Sequence, residues 1–214
     1  MISGLVILLS YLIGAVPFGL LVARSRGIDI RQVGSKNIGA TNVLRSVGKK
    51  WGALTLALDA LKGFVPAAFF PMLGKMCCGD FQPLENLDLW CGVAAILGHN
   101  YPVYLGFKGG KGVATSAGVL LGVAPLAAGL GIVIWVTLFF VSRYVSLASI
   151  GACVAIPAAA WFLYIRKGIV LPAALTLLGV LIIWRHRANI QRLVAGTEHR
   201  FVKKSDKDSE IPKA

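Results

Sequence analysis

Residues 113–142 read VATSAGVLLGVAPLAAGLGIVIWVTLFFVS and include no charged side chain. As a single helix, rising 1.5 Å per residue, they would measure roughly 45 Å, which is too long for a hydrocarbon core of about 30 Å. They are also too short for two full spans. Gly122 and Pro125 lie near the middle of the run, where they would break a helix. The run therefore predicts two short helices joined by a tight turn on the outer side of a membrane.

Apolar runs on both sides of this hairpin complete a membrane-spanning pattern. Each approaches the length of about 20 residues that a helical span needs. They lie at 2–23, 51–74, 88–105, 146–165 and 169–184. With the hairpin, the count is seven transmembrane helices. We expect an all-α integral membrane protein in which residues 1–200 form one polytopic domain and residues 201–214 a basic, disordered cytoplasmic tail.

The distribution of charge orients this pattern. The chain of 214 residues is 57% hydrophobic and has a formal net charge of +13. Lys and Arg crowd residues 24–50 and 185–214, whereas residues 77–88 contain acidic side chains and no basic one. The positive-inside rule then places the N-terminus outside and the C-terminus in the cytoplasm. A secretory signal peptide is excluded, because the basic residues follow the first apolar run instead of preceding it.

Three polar islands interrupt the apolar sequence, and the seven-helix topology brings all of them to the cytoplasmic side. Island 1 is GSKNIGATNVLR at 34–45, island 2 is GHNYPVYLGFKGGKGVAT at 98–115, and island 3 is RHRANIQRLVAGTEHR at 185–200. Each combines cationic side chains, amide donors and glycines that expose backbone N–H groups, which is the chemistry of an anion site. The islands predict a membrane protein that handles phosphorylated molecules.

In island 1, small residues allow tight turns and polar side chains supply donors. The turn residues are Gly34, Gly39 and Ala40, and the donors are Ser35, Asn37, Thr41, Asn42 and Arg45. Such a loop can wrap an oxyanion. The alternative is that Ser35 or Thr41 caps a helix that runs through Arg45, and a helix N-terminus is itself an anion site.

In island 2, Lys108 and Lys111 lie among four glycines directly before a predicted helix. These glycines are Gly106, Gly109, Gly110 and Gly112. The spacing does not match the phosphate loop of nucleotide hydrolases, but glycine N–H groups and a mobile lysine still favour an anion. The alternative is a flexible turn with interfacial lysines. We expect His99 and Asn100 to orient this loop.

In island 3, His186 and Asn189 have the spacing that places two side chains on one face of a helix, so they could serve one site. The neighbouring arginines, Arg185, Arg187 and Arg192, mark the cytoplasmic end of the last helix. Glu198 is expected to tie the tail to a basic residue.

Polar residues outside the islands have more local interpretations. Asp59 and Lys62 lie inside an apolar run at i, i+3 spacing, which suits an intramembrane ion pair. Ser146 and Ser149 could cap a helix or donate to an anion. The cysteines show no metal-ligand spacing and are expected to be structural; they are Cys77, Cys78, Cys91 and Cys153.

Taken in order, the three islands closely resemble the signature motifs of the PlsY family, the acyl-phosphate-dependent glycerol-3-phosphate acyltransferases of bacterial membranes. The resemblance covers most of the chain. It implies transfer of a fatty acyl group from acyl phosphate to the sn-1 hydroxyl of glycerol 3-phosphate, giving lysophosphatidic acid and phosphate at the cytoplasmic face of the inner membrane. No cofactor, metal or nucleic acid is expected. Membrane lipid and the acyl-phosphate-forming enzyme PlsX are the expected partners.

The resemblance also assigns roles to residues. Those expected to bind glycerol 3-phosphate and orient its hydroxyl are Ser35, Arg45, Lys111, His186 and Asn189. Further substrate contacts, including those to the donor phosphate, are expected from Asn37, Gly39, Thr41, Asn42, Lys108, Gly109, Gly110, Gly112 and Ser149. A structural role is expected for Asp59, Lys62 and Glu198.

Two other functions fit parts of the sequence. A transporter of organic phosphates would account for the basic islands and for the charged pair Asp59 and Lys62, but the chain shows no internal repeat. A CDP-alcohol phosphotransferase would need metal-binding carboxylates, and Glu198 is the one acidic residue in the islands.

Overall fold

The computed structural model describes residues 2–77 and 83–201. Within those ranges the chain forms ten α-helices and no β-strand, so the predicted all-α class is confirmed. The helices are α1 (Ile2–Ala15), α2 (Phe18–Arg24), α3 (Ala40–Ser46), α4 (Lys49–Cys77), α5 (Leu87–Asn100), α6 (Val113–Val123), α7 (Pro125–Ser142), α8 (Val145–Tyr164), α9 (Val170–Arg185) and α10 (Arg187–Val194). Cys78 and the tail from residue 202 onward lie outside the described residues.

Several helical stretches are long and apolar enough to cross a bilayer. They are Ile2–Arg24, Lys49–Leu73, Pro125–Ser142 and Val145–Lys167. Helices α9 and α10, which meet at an angle of 57°, add a fifth if they count as one bent span. Helix α6 is apolar but shorter. The described residues therefore supply four or five candidate spans, and the count of seven crossings stays a prediction.

The predicted break within 113–142 is confirmed. Helix α6 ends at Val123 and α7 begins at Pro125. Between them Ala124 adopts φ −143° and ψ 65°, outside the helical region. Because a proline disfavours helical geometry in the residue before it, the sequence itself separates the two helices.

The predicted run 2–23 supplies one candidate span, Ile2–Arg24, but the helix within it is interrupted. The helix breaks after Ala15, and α2 begins again at Phe18. Pro17 lacks a backbone N–H and its ring clashes with the preceding turn, so a helix cannot pass through it without a kink. The break exposes the carbonyl of Val16, which the side chain of Lys62 contacts from α4 at 2.7 Å.

The predicted run 88–105 is helical over only part of its length. Helix α5 ends at Asn100, and a short 3-10 turn follows at Val103–Leu105. Tyr101 precedes Pro102 and leaves the helical region with φ −132° and ψ 63°. The chain therefore leaves the apolar helix at the start of the glycine-rich loop.

The chain divides into two compact units, Met1–Gly129 and Leu130–Ala214, with the boundary inside α7. We call them the N-terminal and C-terminal units and describe each by itself. The single domain over residues 1–200 stays a prediction.

Glycines bring the helices of the N-terminal unit into backbone contact. On the contact between α1 and α5, a Cβ at Gly14 would overlap the carbonyl of Ala95. On the contact between α4 and α6, a Cβ at Gly63 would overlap the carbonyl of Thr115. Small residues at such crossings are the usual means by which membrane helices pack closely, since lipid offers no hydrophobic drive between them. This packing fixes α5 and α6, which flank the glycine-rich loop of island 2.

In the C-terminal unit, α8 packs against α9, where a Cβ at Gly179 would lie 2.7 Å from the carbonyl oxygen of Cys153. At the end of the described chain, the ring of Phe201 lies edge-on to Phe139, with centroids 5.7 Å apart. The backbone N–H of Phe201 donates to the carbonyl of Arg143 at 3.0 Å. Phe201, which was predicted to belong to the disordered tail, is therefore held in place, and the rest of that predicted tail lies outside the described residues.

Candidate active site

Asn42 organises the loop of island 1 from its centre. Its buried side-chain amide donates to the carbonyls of Ile30, Val33 and Asn37 at 2.9–3.2 Å, and its Oδ1 accepts from the backbone N–H of Ser35 at 3.0 Å. One side chain therefore joins four points of the loop. Substrate contact by Asn42 stays a prediction; what the structure shows is that Asn42 shapes the loop.

The remaining donors of island 1 surround this centre. Asn37 Oδ1 accepts from the N–H of Gly39 at 2.8 Å, and Gly39 is the N-cap of α3. No side chain caps that helix, so the alternative in which Ser35 or Thr41 acts as the cap is wrong. Ser35 is exposed, while Thr41 and Arg45 are half-buried on or beside α3.

Island 2 forms a glycine-rich loop that ends where α6 begins. Gly112 is the N-cap of α6 and has φ +86°, a conformation that a side chain would strain. Lys111, immediately before it, is half-buried, whereas Lys108 is exposed. The loop thus presents a lysine and several backbone N–H groups at a helix N-terminus, which suits an anion.

His99 and Asn100 both contact this loop, as the sequence predicts. The carbonyl of His99 accepts from the N–H of Gly110 at 3.1 Å, and a Cβ at Gly110 would overlap the His99 ring. A Cβ at Gly112 would lie 2.8 Å from Oδ1 of Asn100.

Two buried polar side chains beside the loop make no hydrogen bond within the part of the chain that the structure describes. They are Asn100, through both side-chain heteroatoms, and Thr115, through its hydroxyl. Leaving such a group without a partner costs about 1–3 kcal/mol, so a polar ligand at this loop would find donors already in place. Thr115 was not among the predicted site residues, since a missing hydrogen bond can be seen only in three dimensions.

The predicted ion pair in α4 is present and has a third member. Lys62 Nζ lies 2.8 Å from Oδ1 of Asp59, and His99 Nδ1 lies 3.7 Å from the same oxygen. The three residues are 4%, 1% and 4% exposed, respectively. The i, i+3 spacing indicated the first contact, but not the contact with His99, which comes from another helix.

In the C-terminal unit, Glu198 collects three donors. Its Oε1 accepts from Ser146 at 3.0 Å and from Asn189 Nδ2 at 2.8 Å, while its Oε2 accepts from Arg192 Nε at 2.7 Å. Glu198 is 8% exposed. The predicted bond to a basic residue is therefore confirmed, and the same carboxylate also joins α8 to α10.

The surroundings of Glu198 favour its ionised form. Burial would raise the pKa of the carboxyl, but the hydrogen bonds from Asn189, Arg192 and Ser146 outweigh it and lower the pKa below its ordinary value of 4.5. Glu198 is thus a carboxylate at neutral pH, and it fixes the amide of Asn189 with Nδ2 toward itself.

His186 lies at the bend between α9 and α10. It is the N-cap of α10, with φ −94° and ψ 6°, and its carbonyl accepts from the backbone N–H of Asn189 at 2.8 Å. Both side chains are buried. Nδ1 of His186 lies 2.8 Å from the carbonyl of Ile182. Because a carbonyl can only accept, a neutral His186 carries its proton on Nδ1, and Nε2 is its acceptor nitrogen.

Ser149 is buried in α8 and already has two partners. Its hydroxyl donates to the carbonyl of Val145 at 2.8 Å and accepts from the indole N–H of Trp135 at 3.1 Å. Ser146 donates to Glu198. Neither serine caps α8, whose N-cap is Tyr144, so the capping alternative is wrong for both.

Fold and site together define an all-helical membrane protein with cationic, glycine-rich loops suited to phosphate. The family model for glycerol-3-phosphate acyltransferase matches residues 4–196. The chain belongs to the glycerol-3-phosphate acyltransferase family, as its sequence motifs predict.

Curated relatives and solved structures agree with this assignment. The glycerol-3-phosphate acyltransferase of Aquifex aeolicus is 44% identical over 91% of this chain and 97% of its own length. That of Mesorhizobium japonicum is 46% identical over 92% of this chain and 95% of its own length. The crystal structure of PlsY, an integral membrane glycerol 3-phosphate acyltransferase, in its glycerol 3-phosphate form matches with a TM-score of 0.82 at 42% identity, covering 96% of this chain and 98% of that one. Its lysophosphatidic acid form matches with a TM-score of 0.78 at the same identity, covering 94% and 95%.

The protein is therefore an integral membrane acyltransferase of the PlsY family, acting in phospholipid synthesis. This assignment favours the enzyme over both alternatives, the organic-phosphate transporter and the CDP-alcohol phosphotransferase.

Proposed function

We propose that this chain transfers a fatty acyl group from acyl phosphate to the sn-1 hydroxyl of glycerol 3-phosphate, giving lysophosphatidic acid and inorganic phosphate. The observation that carries the proposal is the match over almost the whole chain to PlsY in a glycerol 3-phosphate form and in a lysophosphatidic acid form. These two molecules are the acceptor and the product of one acylation, the first in phospholipid synthesis.

The choice of acyl phosphate as donor rests on the sequence. The soluble-headed acyltransferases, which use thioester donors, carry an Asp five positions after a histidine. None of His99, His186 and His199 has an Asp or Glu at that position. Acyl phosphate is a mixed anhydride with a good leaving group, so the protein needs mainly to position two phosphorylated substrates and neutralise their charge.

In the N-terminal unit, Ser35, Arg45 and Lys111 bind glycerol 3-phosphate, and Thr41 with the glycine amides of island 2 binds the donor phosphate. Two observations support a ligand at island 2. The loop ends at the N-terminus of α6, and the buried groups of Asn100 and Thr115 make no hydrogen bond among the described residues. Further contacts are assigned to Asn37, Gly39, Asn42, Lys108, Gly109, Gly110 and Gly112.

In the C-terminal unit, His186 and Asn189 bind glycerol 3-phosphate and orient its hydroxyl, and Ser149 contacts the donor phosphate. Glu198 supports this arrangement by holding Asn189 Nδ2 at 2.8 Å, which leaves the amide oxygen in a defined direction. No metal or cofactor takes part in the proposed reaction.

The reaction makes one ester bond and breaks one anhydride bond. The hydroxyl oxygen of glycerol 3-phosphate attacks the acyl carbon, the bond from that carbon to the phosphate oxygen breaks, and phosphate leaves. The hydroxyl proton passes to the phosphate of the donor, so the reaction is substrate-assisted and His186 binds the acceptor. The alternative is that Nε2 of His186 takes the proton as a general base.

His186→Gln separates these two mechanisms, because the amide of Gln can still form a hydrogen bond near Nε2 but cannot take up a proton. Substrate assistance predicts that the variant keeps a measurable kcat and loses affinity for glycerol 3-phosphate. Near-complete loss of kcat with normal binding of glycerol 3-phosphate would instead establish the general base.

The proposed topology has seven crossings of the bacterial inner membrane, with the N-terminus outside, the C-terminus in the cytoplasm and the reaction on the cytoplasmic face. The charge distribution and the separated helices α6 and α7 support it. PlsX, which forms acyl phosphate, is the proposed partner. Cysteines introduced one at a time at Ser3 and Arg200, in a variant without the native cysteines, test the topology; impermeant reagents on intact cells should label the first and not the second.

The decisive experiment gives the purified protein, in lipid or detergent, labelled glycerol 3-phosphate with either palmitoyl phosphate or palmitoyl-CoA. We expect lysophosphatidic acid from palmitoyl phosphate alone, without added metal. Product from palmitoyl-CoA alone would refute the proposed donor. Lys111→Ala should lose about 100-fold or more in kcat/KM, as expected when a charged substrate contact is removed. Lys167→Ala, the matched removal of an exposed lysine outside the islands, should leave activity unchanged.

A further inference from the structure

The buried cluster of Asp59, Lys62 and His99 connects the glycine-rich loop to the membrane-embedded helices of the N-terminal unit. Lys62 Nζ lies 2.8 Å from Asp59 Oδ1 and His99 Nδ1 lies 3.7 Å from the same atom. All three side chains are buried. The carboxylate is therefore shared between one side chain of its own helix and one from the end of α5.

Lys62 is held by further contacts, which fix the position of the carboxylate in turn. Its ammonium donates to the carbonyl of Val16 at 2.7 Å and lies 5.6 Å from the centre of the Phe18 ring. Val16 lies in the break between α1 and α2, and Phe18 is the first residue of α2. The ion pair is thus held between α4 and the first two helices. Its carboxylate can therefore orient the side chain of His99.

His99 contacts the glycine-rich loop through both its ring and its backbone, so it links the loop to the ion pair. The ring edge that bears Nδ1 faces Asp59, and the opposite edge packs so closely on Gly110 that a Cβ there would overlap Nε2. The backbone N–H of Gly110 also donates to the carbonyl of His99 at 3.1 Å. The next residue along the chain is Lys111. A rotation of the His99 ring would therefore displace the backbone that carries this lysine.

We propose that His99, oriented by the Asp59–Lys62 pair, is a positioning residue that sets the place of Lys111 for the acyl transfer. The expected effect on kinetics rests on the proposed function, whereas the expected effect on the position of the loop does not. His99 acts on the reaction only through the loop and does not contact substrate. Asp59 and Lys62 thereby gain a role in the reaction beyond holding helices together.

The chemistry of the cluster supports positioning over simple packing. Taking charges out of water is costly, and apolar side chains of similar volume would fill the same space without that cost. Apolar packing, however, does not determine which edge of a ring faces the loop. A charge on one side of the imidazole does so, because Nδ1 is favoured toward the carboxylate and Nε2 then points to Gly110.

The test is a kinetic double-mutant cycle in the intact membrane enzyme. His99→Phe keeps the size of the ring and removes both nitrogens. We expect it to lower kcat/KM for glycerol 3-phosphate by about 10–100-fold, the usual effect of losing an orienting partner. Lys111→Arg is the second substitution of the cycle, because it retains the positive charge and is expected to leave enough activity to measure. If His99 acts through Lys111, the double variant should be no more than about 3-fold worse than Lys111→Arg alone.

Two controls separate positioning from general damage. Thr55→Val removes a buried hydroxyl of α4 that donates to the carbonyl of Trp51, and it should leave kinetics unchanged. Combining His99→Phe with Arg45→Lys, a change in another loop, should multiply the two losses. A purely structural role for His99 would give multiplied losses with Lys111→Arg as well, and that result would overturn the proposal. So would wild-type kinetics in the His99→Phe enzyme.

Hydrogen exchange of the loop gives a readout that needs no activity. Peptides covering residues 106–112 should exchange faster in the His99→Phe and Asp59→Asn proteins than in the wild type, while peptides from α8 should not change. Equal exchange in the loop would overturn the proposal even if the wild type makes lysophosphatidic acid. Conversely, a wild type inactive with acyl phosphate would refute the proposed function while this experiment still decides the role of His99.

Discussion

Asp59 in the N-terminal unit and Glu198 in the C-terminal unit are both buried carboxylates with several donors, yet they are held differently. Asp59 pairs with Lys62, three residues away on the same helix, and both side chains are 2% exposed. Glu198 accepts from Ser146, 52 residues away, and from Arg192, whose side chain is 41% exposed. Both members of the Asp59–Lys62 pair are excluded from water, whereas the cation that pairs with Glu198 is partly exposed to it. Sequence spacing therefore reveals a local ion pair, whereas the exposure of its members decides how much the pair contributes to stability.

The largest expected effect follows from removing one charge of the buried pair. Asp59→Leu leaves the Lys62 ammonium without its carboxylate, and we expect a loss of about 3–5 kcal/mol in the free energy of unfolding. The measurement is unfolding by titration of SDS into detergent micelles. Asp59→Leu/Lys62→Leu is the control and should recover much of the loss, since no unpaired charge remains. A single variant as stable as the wild type would show that the pair is not excluded from water.

Removing the other carboxylate should cost less. Glu198→Ala leaves the buried donors of Ser146 and Asn189 without an acceptor, and we expect a loss of about 2 kcal/mol in the same titration. Glu198→Gln retains a side-chain oxygen and should lose about half as much. If Glu198→Ala proved more damaging than Asp59→Leu, the ranking by exposure would be wrong.

A smaller effect is expected when the exposed partner of Glu198 is removed. Arg192→Ala should lower the free energy of unfolding by less than about 1 kcal/mol, because water already screens much of this ion pair. Raising the salt concentration should reduce the difference further. The matched control is Arg200→Ala, which changes an exposed arginine of the same segment and should have no effect. A loss equal to that of Glu198→Ala would contradict the screening argument.

The smallest effect is a dependence on pH. Because the pKa of Glu198 is lowered on folding, its contribution to stability is complete above the ordinary value of 4.5 and is lost as the pH falls through the lower folded value. The wild type should therefore exceed Glu198→Gln in unfolding free energy by a constant amount at pH 6–8, and by less near pH 3. A difference that grows toward acid would show that the pKa is raised instead.

Much of the fold could be predicted because hydropathy and proline act locally. The break before Pro125 was forced by length, since one helix over 113–142 is too long for the bilayer and two spans are too many for its residues. The length of the run 2–23 did not indicate the break at Pro17, because the run has the right length for one span. The bond from Lys62 to the carbonyl of Val16 at this break could not be predicted either, because it joins two helices.

In the candidate site, too, some contacts could be predicted from the sequence and others could not. The pairing of Asp59 with Lys62 follows from helical spacing, and the contact of His99 with the loop follows from their nearness in sequence. The convergence of Ser146 and Asn189 on Glu198 could not be predicted, because it depends on how α8 and α10 pack. The role of Asn42 in shaping the loop could not be predicted either. The groups that accept its hydrogen bonds are backbone carbonyls, which every residue has.

The bond from Lys62 to the carbonyl of Val16 also sets an order for biosynthesis. The ribosome delivers Val16 to the membrane well before Lys62, which is 46 residues later. Until then the carbonyl of Val16 has a local donor in the backbone N–H of Phe18, at 3.1 Å. The first span therefore gains its bond to a charged donor only when α4 arrives, and such bonds are stronger than neutral ones. A nascent chain arrested before Lys62 emerges should leave its first span easier to extract than a chain arrested after it.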